Sequence, residues 1–207
     1  MDRIQSTLTD MNYFMDAVGE EVSITDKVTI EDGTISENII KFKAIVRDYA
    51  PSLHEDMEIS ALHEIKRGNV IKYRNANYLV VSESMATKPL MYEGKMRYIN
   101  LTFTSPGEKI AIEWDRFGNP KKWIQLPDKV IHCIIDKQKD ITISDNTAIR
   151  VPKEEVLITI PAYEGYDTDF KVGSIKPILG KNYKIIDHDL IQRGLVIITG
   201  EFTTSGS

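Results

Sequence analysis

Gly68-Asn69-Val70-Ile71-Lys72-Tyr73 leads through Arg74-Asn75-Ala76 into Asn77-Tyr78-Leu79-Val80-Val81, and the pattern returns later in the chain. Gly173-Ser174-Ile175-Lys176-Pro177-Ile178 leads through Gly180 into Asn182-Tyr183-Lys184-Ile185-Ile186, 105 residues on at every matched position. Gly68 falls on Gly173, Asn77 on Asn182 and Tyr78 on Tyr183, and most apolar positions agree in type, Val70, Tyr73, Val80 and Val81 falling on Ile175, Ile178, Ile185 and Ile186. Two runs of β-favouring residues around a short polar turn read as a hairpin. The ungapped repeat predicts two related β-modules, each aiming a tyrosine from the second strand of its hairpin. The flanks echo more loosely. Ala44 to Asp48 and Cys133 to Asp136 precede the units, and Tyr98 to Phe103 and Leu195 to Thr199 follow them.

Working outward, the rest of the chain has the same period-2 character. Val22-Ser23-Ile24 and Val28-Thr29-Ile30 alternate, Glu31-Asp32-Gly33-Thr34 signals a turn, and Phe42 to Val46 reads as a strand. From Lys109 a second series runs through Ile110 to Trp114, Trp123 to Leu126, Val130 to Ile135, Ile141 to Ile143 and Val156 to Ile160. The hairpin strands Ile175 to Leu179 and Tyr183 to Ile186, with Leu195 to Thr199, complete it. Short strands punctuated by Gly, Pro, Asn and Asp predict a mainly β fold of two small barrels or sandwiches. Ser105-Pro106-Gly107 is the expected boundary, giving a first module over 1–105 and a second over 106–207.

One helix precedes the strands. Leu8, Met11, Phe14, Met15 and Val18 recur at helical spacing, Thr7 and Asp10 resemble a capping start, and Gly19 offers a stop. The helix either covers a sheet or turns Met11, Phe14 and Met15 toward a neighbouring subunit, and both readings stay open.

Bulk properties narrow the function. Among 207 residues, 26 Lys and Arg face 31 Asp and Glu, a net charge of −5, which gives no global attraction to phosphate backbones. No apolar run approaches the ~20 residues of a membrane-spanning helix. Met1 to Ser6 lacks the apolar core of a signal peptide, and Cys133 is the single cysteine, so folding in a reducing cytosol is expected.

Catalytic patterns are weak. Neither a P-loop nor a dinucleotide fingerprint occurs, and one cysteine cannot build a cysteine-paired zinc site. His54 and His63 stand among acids at no common metal spacing, while His132-Cys133 and Asp187-His188-Asp189 are split by strand alternation. The expectation is a protein with no catalytic, metal or cofactor residues. Trp114 and Trp123 bracket a loop carrying Arg116 and Phe117, either as a cross-strand aromatic staple or as an interface anchor. Tyr49 to Arg67 reads as a long loop between strands, of the kind that carries function, within which Met57-Glu58-Ile59-Ser60 could pair briefly. Tyr73, Tyr78, Tyr98 and Tyr183 leave open a barrel that stacks single-stranded nucleic acid.

The run Met15-Asp16-Ala17-Val18-Gly19-Glu20-Glu21-Val22, the strand Phe42 to Asp48, the loop after it and the hairpin Ile65 to Val81 resemble the head-completion proteins of long-tailed bacteriophages. The resemblance implies a non-enzymatic virion protein at the head–tail neck, assembled in the host cytoplasm without cofactor or membrane. It implies a ring of copies of itself, a portal or adaptor protein on one side, a tail terminator or tail protein on the other, and passing contact with packaged DNA. Carried over by position, Tyr49, Pro51, Leu53, His54, Glu55, Asp56 and Met57 would line the channel or touch a neighbour. It covers the first half of the chain, so a tail terminator, tube or baseplate component is the alternative station.

Overall fold

The computed structural model describes residues 2–29, 35–49, 56–83, 85–88, 91–107, 109–139 and 154–204. The expected turn Glu31 to Thr34, the expected strand Ile141 to Ile143 and loop residues Pro51, Leu53, His54 and Glu55 lie outside that set.

Helix α1 (Asp2–Val18) leads into β1 (Glu20–Thr29), β2 (Ile35–Asp48) and β3 (Asp56–Ala61). The first hairpin, β4 (Val70–Tyr73) and β5 (Ala76–Val80), is followed by β6 (Met85–Lys88) and β7 (Met91–Tyr98). The circuit β1-β2-β3-β7-β5-β4 returns to β1 through Ser23↔Lys72 and Ile24↔Ile71, which closes a six-stranded antiparallel barrel. β6 pairs with the start of β7. Inward residues alternate along each strand, and Val22, Ile24, Ile59, Ile71, Tyr78, Val80 and Met96 fill the interior.

The second half contributes β8 (Leu101–Ser105), the arm β9 (Lys109–Trp114) and β10 (Pro120–Gln125), then β11 (Lys129–Lys139) and β12 (Glu154–Pro161). After the four-residue α2 (Tyr166–Asp169) come β13 (Ile175–Ile178), β14 (Lys181–Asp189) and β15 (Leu195–Phe202). Its sheet runs β8-β11-β12-β15-β14-β13, the first module's order strand for strand, but the ends do not join. At the positions of Ile71 and Lys72 stand Lys176 and Pro177. A proline has no N–H for a ladder, so this edge stays blunt. Phe103 and Phe170, edge-to-face at 5.3 Å, and the bonded pair Ser105–Asp169 span the opening instead.

The repeat holds to the hydrogen bond. Gly68 N–H donates to Val80 O at 2.9 Å and Gly173 N–H to Ile185 O at 2.7 Å. Val80 N–H reaches Asn69 O at 3.0 Å, and Ile185 N–H reaches Ser174 O at 2.9 Å. Both hairpins pair in the same register and turn through two residues of positive φ, Arg74-Asn75 and Leu179-Gly180. Tyr78 meets Tyr98 at 5.9 Å and Tyr183 meets Phe202 at 6.0 Å, both tilted by 70°.

Several expectations shift. α1 begins at Asp2, ahead of the Thr7 capping start. Gly19 ends it by donating to Met15 O at 2.8 Å, and a Cβ there would crowd that carbonyl and Lys43. The run Tyr98 to Phe103 is not one strand: Ile99 and Asn100 break it, and β8 joins the second sheet. Sheet membership therefore divides the chain at Ile99–Asn100, a few residues ahead of Ser105-Pro106-Gly107. The span Tyr49 to Arg67 contains β3, a strand of the barrel wall, so it is not one long loop.

The modules pack together. Leu79, Ile99, Ile134 and Leu195 are buried as a separate apolar cluster, with Val70 and Val81 against it. Val70, Leu79 and Val81 are the outward positions of the first hairpin, while Ile71, Tyr78 and Val80 point inward. Asn100 bonds both backbone groups of Ile135, accepting its N–H at 2.8 Å and donating to its carbonyl at 3.0 Å. Gly68 and Gly194 meet backbone to backbone at positive φ, and a Cβ on either would collide with the other loop. Leu79→Lys, which puts the second hairpin's Lys184 into this seam, is expected to cost about 3 kcal/mol or more by burying a charge. Urea unfolding should show the loss, and unchanged stability would contradict a packed seam.

Candidate functional site

The residues first suspected fall on three surfaces with different fates. In the loop after β2, Tyr49 N–H donates to Asp56 O at 3.1 Å and Lys95 Nζ lies 3.8 Å from the Tyr49 ring centroid. Asp56 is bound to Arg97 at 3.1 Å, and Met57 packs half-buried on the first core. Both are structural residues of the barrel, a correction to their placement in a channel loop. His63 stacks on Phe42 at 4.8 Å. Among the described residues no cluster of His, Cys, Asp and Glu is arranged to hold a metal ion.

On α1, Met15 is buried against the barrel and Met11 half-buried, whereas Tyr13, Phe14 and Val18 are exposed. The helix both covers the sheet and keeps an apolar stripe free.

The arm β9–β10 has the densest exposed apolar surface. Alternation puts Ile110, Ile112 and Trp114 on one face, and Ile124 pairs directly with Ile110. Trp123 pairs with Ala111 and Trp114 with Pro120, so the two indoles are not cross-strand partners and the staple reading fails. Trp114 is 60%, Phe117 74% and Trp123 54% exposed, values too high for core residues. Arg116 stands over the Phe117 ring at 4.8 Å, and Lys121 bridges to Glu113 at 3.4 Å.

The arm is nonetheless held firmly at both ends. At its base, Gln125 bonds the Gly107 carbonyl and Gly107 N–H donates to Asp128 at 3.2 Å. At its tip, Asp115 accepts backbone N–H groups of Phe117 at 2.8 Å and Asn119 at 2.9 Å, and the Asn119 amide at 3.1 Å. These bonds hold the Asp115 carboxyl below its ordinary range. The first module has a matching projection, since the β1–β2 ladder continues to Thr29↔Ile35, beyond the β1–β4 pairing at Ser23 and Ile24.

Groups with reactive potential are occupied. Cys133 is buried, donates to Leu101 O at 3.1 Å and has its thiol pushed up to about 12 by desolvation. His188 lies within β14, bonded to Phe170 O at 2.7 Å with its ring against Tyr166. Tyr73, Tyr78 and Tyr183 are buried, which leaves no ring face for a base; of the four only Tyr98 is exposed. The pairing of exposed hydrophobics on one arm was half legible, through Trp114 and Trp123. Ile110, Ile112 and Ile124 were read as ordinary strand residues because alternation does not say which face lacks a cover.

Two family models divide the chain at the junction seen in the sheets. The YomX N-terminal domain matches residues 2–98 and the YomX C-terminal domain residues 100–201. Neither the curated proteins nor the solved structures contain a match.

The tip geometry has a pH signature. A carboxyl lowered in the folded state contributes fully above its ordinary value near 4 and loses that contribution as pH falls through the lowered one. Slow amide exchange at Phe117 and Asn119 should therefore persist down to mildly acidic pH and vanish in Asp115→Ala. Equal exchange in both proteins would contradict a preformed tip.

Proposed function

We propose, from the premise that this chain belongs to the YomX family, a phage-associated family, that it is a structural component of the virion and not an enzyme. The finer reading is a head–tail connector: a ring-forming stopper or adaptor between portal and tail, in passing contact with packaged DNA. The observation that carries the structural role is the β9–β10 arm. Six large hydrophobics (Ile110, Ile112, Trp114, Phe117, Trp123 and Ile124) are exposed on a rigid projection held at base and tip. Four of them (Ile110, Ile112, Trp114 and Ile124) share one face, and exposed apolar surface gathered in this way marks a protein–protein contact, while a preformed element loses less entropy on docking. The engaged states of Cys133 and His188 support the absence of catalysis.

A tail terminator, tube or baseplate component is the second reading, favoured by one observation. The resemblance to connector proteins covers a single barrel, whereas this chain is a barrel and its copy with the same strand order.

Deleting the coding sequence from the phage that carries it and imaging the lysate tests both. DNA-filled heads separated from finished tails are the expected result. Heads without any tails would favour the tail reading, and normal particles that lack the chain would overturn a virion role altogether.

A further inference from the structure

We propose that the arm of one copy seats its apolar face on helix α1 of a second copy of this chain. The inference rests on the reading of the protein as an assembling virion component, and it names the partner and the mode of contact. Both halves are exposed in the same molecule. On the arm they are Ile110, Ile112, Trp114 and Ile124, 42% to 60% exposed, and on the helix Phe14 and Val18, about 50% exposed, with Tyr13 beside them at 78%. Phe14 and Val18 are four residues apart and share one helix face. A helix stripe against the apolar face of a two-stranded arm buries apolar area on both sides.

Charge selects this occupant. The arm from Lys109 to Gln125 carries Lys109, Arg116, Lys121 and Lys122 against Glu113 and Asp115, so it is basic on a chain of net charge −5. Helix α1 carries Asp2, Asp10 and Asp16 against Arg3, while Glu20 and Glu21 just beyond it are paired with Arg74 and Lys41 and add no net charge. Asp10 and Asp16 are exposed near the Tyr13–Phe14–Val18 stripe. Each apolar face thus has a charged surround opposite in sign to the other, which orients the encounter and fixes the partner. The arm's own face is a poor match to itself, because two copies would bring like charges together. The two faces differ, so the contact is head-to-tail, and repeating it builds a ring if the rotation closes or a filament if it does not.

A mixing experiment on the full-length chain tests this. Phe14→Glu spoils the helix face and Trp114→Glu the arm face; both sites are exposed, and circular dichroism checks the fold. Wild type should self-associate by light scattering, and each variant alone should be weakened about tenfold or more. Mixed one to one, the two variants hold one intact helix and one intact arm between them, so they should form a dimer and nothing larger. Should either fail to fold, Val18→Ser and Ile112→Ser replace them. Wild type that stays monomeric, variants that assemble normally, or a mixture that stays monomeric overturns the proposal. In parallel, wild type is titrated with anionic vesicles and an oligothymidine strand. Binding to either that Trp114→Glu abolishes, without self-association, also overturns it and assigns the arm to lipid or nucleic acid. A chain that fails here yet is found in particles leaves the virion reading standing, so the two failures are distinguishable.

Discussion

Arg97 is the residue on which the arrangement of the two modules turns. Along β7, Met96 points into the first barrel and Arg97 therefore points out, toward the second module. Its guanidinium grips Asp136 of β11 through two bonds, at 2.8 and 2.9 Å, while its Nε holds Asp56 of the neighbouring β3 at 3.1 Å. All three side chains are partly buried, and the planar fork fixes both direction and distance between the modules. Around it the Leu79–Ile99–Ile134–Leu195 cluster excludes water, and the Gly68–Gly194 contact lets the loops approach at backbone distance. A fork buried in this way is costly to break, because removing one partner leaves carboxylates desolvated and unpaired.

The seam also accounts for the array stopping at two. In the first hairpin the outward residues Val70, Leu79 and Val81 pack against the second module. Their counterparts are Ile175, Lys184 and Ile186, and the central one is an exposed lysine. Arg97 itself is matched by Glu201 in the paired register, so no second fork is present. The copies diverged inside as well. Phe170 stands where the first module has Ile65 and Gly200 where it has Met96, and Lys176-Pro177 occupies the place of the ladder that closes the first barrel. The first module is thus a sealed barrel and the second an open sheet whose edge is guarded by a proline.

How far the sequence disclosed this depended on loop lengths. The hairpins were legible because no insertion separates their parts, and their turn glycines and tyrosines are fixed by positive φ and by edge-to-face packing. Beyond them the offset drifts, from 105 to 104 between Tyr98 and Phe202, to 99 between Ile59 and Ile158, and to 89 between Val46 and Ile135. Unequal loops between strands hid the rest of the duplication. β3 was half legible: Met57 to Ser60 offered a brief pairing, but Asp56 and Glu58 made a barrel strand look like part of a loop, and only the fold shows Asp56 bridged to Arg97. The arm was visible through its tryptophans, while the charge match with α1 is a property of two separated segments that only the fold leaves exposed together.

The claim that the modules form one body is best tested by pulsed electron spin resonance on Lys72→Cys/Lys184→Cys, both exposed positions, one in each module. Cys133 is buried with its thiol pushed up to about 12, so it leaves the labels unambiguous. A single narrow distance is the result this account requires. A broad distribution, with the modules moving independently about Ile99–Asn100, would contradict it.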